Sequence, residues 1–466
     1  MIVSCETDLT PRDTLTPDAA YIDIRNLQLG LNGVYRSYDL SGVITFNSIF
    51  TDETKIGRDS GGQQRTLYEM NVTAGTNGAG IWSGAYSTIN RANRIIEAAA
   101  KITPTGAERA QYDKILADCY AIRAASHLTL LSHFCTNMED DNALATPYID
   151  FVNGPADDLP RISVGAFKQK LIADIDMAET LMGSTNYNNN KTTFSQRGLN
   201  FLRARLALYT GDNLGAITFA DLVINSGMSL ANPTQYKNMF LDTDDTEVVL
   251  SLARTPQEGR IGGIWYFTGT GGAFMEMSNF MYQSLDKTLI DPTNPALGYV
   301  DVRTGVLFNQ AASDASQNFH LINKYPGSQG FLFLNNQKAM RLSELYLIKA
   351  EAQAKLSQFT QSATTLQALV NARFGSFSAP TISYNNLQSA LLEILEQRNL
   401  ELGYEGHRYV DLRRLRNLTN TGIERNPLDC GSGIPCGLGI SDHRFTMPVP
   451  LSSITNNPNM IQNPGY

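Results

Sequence analysis

The sequence lacks features that would each place it in a broad class of proteins. No run of eighteen apolar residues occurs among its 466 residues, so no membrane-spanning helix is expected. No lysine- and arginine-rich tract is present and the formal net charge is −8, which argues against a nucleic-acid partner. A hydrophobic content of 42% is enough for a large core. We therefore expect a globular protein that does not bind nucleic acid.

Patterns typical of metal and phosphate sites are also absent. The histidines form no HExxH motif and no close cluster with cysteine, so no zinc site is expected. The acidic segment LDTDDTE at Leu241 lacks the glycine and glutamate spacing of an EF-hand, which favours a solvated turn. The segment GTGG at Gly269 lacks the lysine of a phosphate-binding loop. Neither a metal nor a cofactor is expected.

Cysteine is scarce, but its positions are informative. Cys430 and Cys436 bracket the loop CGSGIPC, which could close as a local disulfide in an oxidising compartment or remain as two free thiols. Cys119 and Cys135 lie in one expected helix, where their separation of about 24 Å is too long for a disulfide. We expect these two to be small core residues.

Apolar residues at helical spacing predict pairs of helices. One pair begins near Trp82 and includes residues 108–134, and the next helix has Ser163 as its expected N-cap. A Gly211-Asp212 turn separates two further helices. The same plan recurs from position 341 and stops at Gly375. Such small-residue-rich helix pairs favour packing of the tetratricopeptide type.

The middle of the chain changes character. Short β-like runs such as VVLSLAR, IWYFTG and HLINKY lie among glycine, asparagine, aspartate and proline. Aromatic residues concentrate among the glycines after Gly259, where exposed rings could stack on sugars or on peptide side chains. The alternative is that the rings fill the core of an irregular lobe. The candidate ligand contacts are Trp265, Tyr266, Phe274 and Tyr282, with Tyr68 and Arg65 from an earlier loop.

The charged stretch EQRNLELGYEGHRYVDLRR, residues 396–414, could present catalytic carboxylates. Glu401 and Glu405 are four residues apart, which places them on one face of a continuous helix. However, Gly403 and Gly406 interrupt the helix, and charges of both signs can pair across a helix–helix interface. We favour structural ion pairs. The residues expected in them are Arg341, Glu344, Glu351, Arg398, Glu401, Glu405 and Arg408.

Several motifs occur in an order that resembles the SusD/RagB family of Bacteroidetes surface lipoproteins. They are CETDLTP, LNGVYRS, WSGAYSTINRANRII, DVR at Asp301, NKYPG at Asn323, RLSELYLIKAEA at Arg341, the 396–414 stretch, and the ending MPVPLSSITNNPNMIQNPGY. The resemblance extends from Cys5 to Tyr466, essentially the whole chain. The order of the motifs carries it, since no single motif is decisive.

The resemblance implies a mostly α-helical single domain over residues 1–466. Four tetratricopeptide-like helix pairs would form a scaffold for an irregular, loop-rich lobe with short β-strands. The expected segments are an N-terminal lipoprotein tether at 5–20, helical repeats at 81–227, the ligand-binding lobe at 228–339, further repeats at 340–416 and a C-terminal loop segment at 417–466.

The resemblance also implies a function. The expected activity is binding, without catalysis, of an oligosaccharide or a peptide, which is then delivered to a SusC-like TonB-dependent transporter. A lipid on Cys5 would anchor the chain to the extracellular face of the outer membrane, unless this cysteine is incidental. Two other classes remain open: a helical glycoside hydrolase that uses Glu401 or Glu405, and a tetratricopeptide adaptor for a soluble protein.

Overall fold

The fold is that of a computed structural model, which describes residues 20–154, 156–183, 190–431 and 433–466. The lipidation site expected at Cys5 lies outside the described residues, as does all but the last residue of the expected tether. No helix among the described residues is both long and apolar enough to cross a membrane. The same residues contain no group of three or more histidine, cysteine, aspartate or glutamate side chains placed to hold a metal ion.

The protein is mostly α-helical, as the sequence predicts. The helices are α1 (Ile24–Ser37), α2 (Ser41–Phe50), α3 (Arg65–Tyr68), α4 (Ile81–Ala99), α5 (Arg109–Phe134), α6 (Val164–Met182), α7 (Gln196–Tyr209), α8 (Asn213–Ile224), α9 (Pro233–Met239), α10 (Asn279–Ser284), α11 (Val302–Leu307), α12 (Leu342–Lys355), α13 (Phe359–Phe374), α14 (Leu387–Leu402), α15 (Arg408–Thr419) and α16 (Leu451–Thr455).

The β-structure consists of short antiparallel strand pairs. The strands are β1 (Thr54–Ile56), β2 (Val248–Leu252), β3 (Met275–Met277), β4 (Gly327–Ser328), β5 (Phe331–Leu332), β6 (Gln337–Arg341), β7 (Ile423–Glu424) and β8 (Gly437–Leu438). β1 pairs with β3, β2 with β6, β4 with β5, and β7 with β8.

Consecutive helices pack as hairpins: α4 with α5, α7 with α8, α12 with α13, and α14 with α15. The connections after α7 and α12 are so short that each pair must run antiparallel. α12 also packs against α8 and α14, so neighbouring pairs stack on one another as in a helical repeat.

Local sequence explains where several helices begin and end. The Ser163 side chain accepts a hydrogen bond from the Ala166 N–H and caps α6. Gly375, at a φ of +61°, follows the end of α13. α14 ends at Leu402, and Gly406 has a φ of +89° before α15 begins, so Glu405 lies in a turn between two helices.

Of five hydrophobic clusters among the described residues, two are much larger than the rest. The larger one lies among the helices, where Cys119 and Cys135 are buried and free. The second lies in the irregular lobe and joins Trp265 and Met275 to Ile44 and Ile49 of α2 and to Tyr404 after α14. The lobe is therefore packed against the scaffold through an N-terminal helix, which the sequence alone did not indicate.

Candidate functional site

Four of the six residues expected to contact ligand lie in the core of the lobe. They are Tyr68, Trp265, Tyr266 and Phe274, which are 0%, 1%, 5% and 6% exposed. Trp265 donates its Nε1–H to Ser48 Oγ at 3.2 Å and stacks parallel to Tyr325. A buried ring has no open face for a ligand, so the expectation that these rings stack on a sugar is wrong. They fill the core of the lobe, which was the alternative.

The other two candidates have different positions. Tyr282 is half-buried and stacks on His320 with ring centroids 3.8 Å apart. Arg65 is exposed on α3, where it pairs with Glu69 at 2.7 Å, and it lies at the rim of a cleft. Of the six residues predicted to contact ligand, Arg65 is the one that lines this cleft, which is the candidate site.

This cleft, here called the β1 cleft, has a volume of about 540 Å³, within the range of small-molecule sites. Its first wall is the segment 55–65, which includes β1 and the loop after it. The second wall is the turn at 317–319, and Glu276 of β3 lies on the floor. The third wall comprises Leu428, Asp429, Gly431 and Ile434 beside the disulfide loop.

Pairing of β1 with β3 builds the floor over the buried aromatic core. Lys55 lies opposite Glu276 in this pairing, and the Gly57 N–H donates to the Phe274 carbonyl at 2.9 Å. Glu276 Oε1 accepts the Arg58 N–H at 2.6 Å, which fixes the start of the loop. Phe274 and its buried neighbours thus support the cleft from below.

Lys55 joins the first wall to the second. Its Nζ donates to the carbonyl and side-chain oxygens of Asn318 at 2.5 and 2.8 Å, and lies 3.7 Å from Glu276 Oε2. Burial lowers the pKa of Lys55, and Glu276 partly offsets that effect. Asn318 has a φ of +52°, a left-handed conformation that asparagine tolerates, in the tight turn before Phe319.

The third wall is held by a disulfide and by a buried carboxylate. Cys430 and Cys436 are joined by a disulfide with a Cα–Cα distance of 5.4 Å. Asp429 accepts hydrogen bonds from the backbone and side-chain N–H groups of Asn279 at 2.8 and 2.5 Å. The Tyr68 hydroxyl donates to the Asp429 carbonyl at 2.8 Å, which ties this wall to α3.

Two side chains that the sequence analysis did not select contribute to the accessible surface of the cleft. Phe319 is half-buried, and the exposed Arg58 guanidinium lies 4.1 Å from its ring centroid. The one signal in the sequence was an isolated aromatic residue in the polar run ASQNFH. The cleft thus combines an accessible aromatic ring with polar groups from three segments.

Comparison with known proteins shows what this chain is similar to. The SusD family profile matches residues 308–466. SusD-like protein P2 of Formosa agariphila is 24% identical to this chain, and the alignment covers 100% of this chain and 97% of that protein. A crystal structure of a SusD superfamily protein from Bacteroides thetaiotaomicron has a TM-score of 0.79 and 22% identity, covering 95% of this chain and 100% of that chain. The chain is similar to SusD-like proteins along its whole length, and it shares the fold of SusD superfamily structures.

A further solved structure shares this SusD-like fold. Surface glycan-binding protein A from Bacteroides fluxus has a TM-score of 0.72 and 18% identity, with coverage of 95% of this chain and 99% of that chain. Matches of this coverage span both the helical scaffold and the lobe of this chain. The β1 cleft therefore lies within the shared fold.

A large cluster of charged side chains among the described residues does not line the cleft. Arg341 pairs with Glu247, Glu401 and Glu405 at 2.7–2.8 Å, and all four side chains are at most 2% exposed. Arg373 pairs with Glu247 and Glu401 at 2.9 and 2.8 Å. Lys324 pairs with Glu405 at 2.7 Å. We call these six residues the buried charge cluster.

Glu401 and Glu405 are thus placed as structural groups. Burial would raise the pKa of each, but Arg373 and Arg341 outweigh burial at Glu401, and Arg341 and Lys324 do so at Glu405, so both pKa values are lowered. Neither carboxylate is open to a substrate. This removes the two residues as the catalytic pair of the hydrolase alternative.

The partners of the other predicted ion-pair residues differ from the sequence expectation. Among the seven residues expected in ion pairs, Arg341 pairs with Glu401 and Glu405, and the other four pair with residues outside that set. The observed pairs are Glu344 with Arg205, Glu351 with Arg414, Arg398 with Asp411, and Arg408 with Asp52. Asp411 is only 13 residues from Arg398, whereas the other three pairs join residues that are 63 to 356 positions apart.

A second cavity of this chain has a volume of about 660 Å³. It lies between Trp82 and Tyr86 of α4 and residues 452–460. Trp82 is 8% exposed because Tyr86 and Phe134 pack edge-on against it. Because the Trp82 indole is largely covered, it presents little aromatic surface to this cavity.

Gly57→Ala is expected to disturb the cleft floor. A Cβ at this position would lie 2.4 Å from the Ala273 carbonyl oxygen, so β1 and β3 would have to separate. We expect the free energy of unfolding to fall by about 1–3 kcal/mol, measured by urea denaturation. Gly33→Ala in α1 is the control, since its Cβ would meet no atom within 4 Å and should stabilise the helix by about 0.5–1 kcal/mol. Equal changes in the free energy of unfolding for the two variants would contradict a close contact between the β1 and β3 segments at Gly57.

Proposed function

We propose that this protein binds an oligosaccharide in the β1 cleft and delivers it, chemically unchanged, to a SusC-like TonB-dependent transporter. The observation that carries the proposal is the half-buried Phe319 ring in a cleft of about 540 Å³ whose other walls contain both polar and apolar groups. An aromatic face with convergent hydrogen-bonding groups is suited to a sugar ring, which has both apolar C–H surface and hydroxyl groups.

The relatives support a glycan as the ligand. One solved structure with the same fold is a surface glycan-binding protein from Bacteroides fluxus. Another, from Bacteroides vulgatus, is a SusD-like carbohydrate binding protein with a TM-score of 0.75 and 18% identity. We extend carbohydrate binding to this chain as part of the proposal, and peptide binding is the alternative within the family.

The carboxylates of the β1 cleft support binding without catalysis. A glycosidase places two carboxyl groups on either side of the bond that is cleaved. Here Glu276 accepts the Arg58 N–H and Asp429 accepts both N–H groups of Asn279, so both hold the walls together. Burial raises the pKa of each. They are only 3% and 6% exposed, so little of either side chain is accessible from the cleft that both line.

The proposal includes the arrangement at the membrane. We place the protein on the extracellular face of the outer membrane, anchored by a lipid on Cys5. We also keep residues 228–339 as the ligand-binding lobe, and add to it the loop after β1 and the disulfide loop, which form two of the three cleft walls.

Phe319→Ala should weaken oligosaccharide binding at least about tenfold, because it removes the one accessible ring of the cleft. A glycan array would identify the ligand and titration calorimetry would give the affinities. Phe331→Ala is the matched control, since Phe331 is a 39% exposed phenylalanine outside the β1 cleft. Unchanged affinity in Phe319→Ala would contradict the assignment of the site. Binding of peptides and of no glycan would contradict the proposed ligand class.

A further inference from the structure

We infer that the ligand of the β1 cleft is an anionic oligosaccharide and that Arg58 binds a carboxylate or sulfate group on one of its sugar units. The inference rests on the proposed function, because it names the chemical class of the same ligand. It goes further by assigning the residue that distinguishes a charged sugar from a neutral one.

Arg58 is positioned but unpaired. Its backbone N–H is held by Glu276 at 2.6 Å, and its guanidinium lies over the Phe319 ring at 4.1 Å. Among the described residues, the guanidinium makes no hydrogen bond and no ion pair. A guanidinium carries five N–H donors in a planar fork that matches carboxylate and sulfate oxygens. An exposed fork stacked on a ring is ready to bind such an anion.

The other charges that line the cleft are already engaged. Lys55 donates to Asn318, and it is only 5% exposed. Glu276 and Asp429 are buried and bonded to N–H groups. Arg65 is paired at the rim with Glu69. The free charge facing the cleft is therefore that of Arg58.

The positive charge of Arg58 is opposite in sign to the net charge of the whole chain. The net charge is −8, so an anionic ligand would be repelled overall and must be attracted by specific groups. Asp59, the nearest acidic side chain along the sequence, accepts the Ala273 N–H at 2.9 Å and does not line the cleft. Asp314, which pairs with Phe319 across the turn, is a further acidic group nearby, and its carboxylate accepts hydrogen bonds from the Ser316 N–H and hydroxyl. Among the residues that the structure describes, Arg58 is thus the unpaired cation beside the Phe319 ring.

A charge-assisted bidentate contact should contribute about tenfold to a hundredfold in affinity over a neutral group at the same place. A neutral sugar could still stack on Phe319, but it would leave the guanidinium hydrated. The two ligand classes therefore predict different responses to loss of Arg58 and to salt.

The test is titration calorimetry of the full chain with four probes: hexamers of galacturonate, of a sulfated galactan, of neutral maltose units, and of glutamate as an acidic peptide. We expect an anionic glycan to bind at least about tenfold more tightly than the neutral one, and less tightly as salt is raised. The galacturonate and sulfated probes separate the two sources of negative charge.

Three variants separate charge from geometry. Arg58→Gln should lose about tenfold or more for the anionic glycan, and Arg58→Lys should recover only part of that loss because lysine lacks the planar fork. Arg109→Gln is the control, since Arg109 is an exposed arginine on α5 that also lies over an aromatic ring, that of Tyr112. It removes the same charge from the chain and should leave affinity unchanged.

The outcomes distinguish this inference from the proposed function. Tight binding of the neutral glycan that is lost in Phe319→Ala and unaffected by Arg58→Gln would overturn the anionic ligand and leave glycan binding intact. Binding of none of the glycans, or of the glutamate peptide alone, would overturn both. Equal losses in Arg58→Gln and Arg109→Gln would show a general charge effect and overturn the role of Arg58.

Discussion

Glu401→Gln is expected to lower the free energy of unfolding by about 3–5 kcal/mol. The buried charge cluster contains three cations, Lys324, Arg341 and Arg373, and three carboxylates, Glu247, Glu401 and Glu405. Its charges therefore balance. Glutamine has the shape of glutamate but no charge, so one positive charge would be left uncompensated in a site whose side chains are at most 2% exposed.

The experiment compares Glu401→Gln with Glu69→Gln by urea denaturation at neutral pH. Glu69 makes the same kind of ion pair with Arg65, but that pair is on the surface, where Arg65 is 61% exposed. Its loss should cost less than about 1 kcal/mol, because water and salt screen exposed pairs. A similar small cost for both variants would show that the buried charge cluster does not depend on charge balance.

Acid should destabilise the protein through a second set of buried carboxylates. Burial would raise the pKa of Glu344, but its pairing with Arg205 at 2.7 Å outweighs burial and lowers the pKa to about 2. Because this folded-state pKa lies below the ordinary value for glutamate, the contribution to stability is complete at pH above about 4.5 and is lost as the pH falls towards 2. Glu351, paired with Arg414, has its pKa lowered for the same reason.

We expect Glu344 alone to account for a loss of about 2 kcal/mol between pH 6 and pH 3. The measurement is the free energy of unfolding at several pH values for the protein and for Glu344→Gln. The variant should be less stable at pH 6 and should lose less stability on acidification. Parallel pH profiles for the two would contradict an ion-paired Glu344.

The helical part of the fold could be read from the sequence because its determinants are local. Apolar spacing, the Ser163 cap and the stop at Gly375 all act within a few residues. The glycines at 403 and 406 likewise explain why Glu405 falls outside α14. The attachment of the lobe through α2 depends on contacts between distant segments, for which the sequence holds no local signal.

The candidate site was only partly predictable for the same physical reason. Aromatic residues among glycines are compatible with either an exposed or a buried position, and the choice depends on distant partners. The Trp265 N–H bonds to Ser48, 217 residues away, and this contact holds the ring inside the core. Phe319 and Arg58 meet only because β1 pairs with β3 and Lys55 bridges to Asn318.

The roles of the charged residues were predictable from the sequence, but most of their partners were not. Composition and spacing indicated that Arg341 and Glu401 serve structure, and the two do pair. Their further partners, Glu247 and Arg373, lie in segments that gave no matching pattern. A buried charged side chain pairs with the oppositely charged side chain that packing places beside it. Its partner is therefore determined by the tertiary structure.

The most direct measurement is a crystal structure of the full chain with the oligosaccharide identified by the glycan array. A sugar ring stacked on Phe319, with a carboxylate or sulfate group at hydrogen-bond distance from the Arg58 guanidinium, is the expected result. Oligosaccharide bound instead in the cavity beside Trp82 and Tyr86, with the β1 cleft empty, would contradict the assignment of the site.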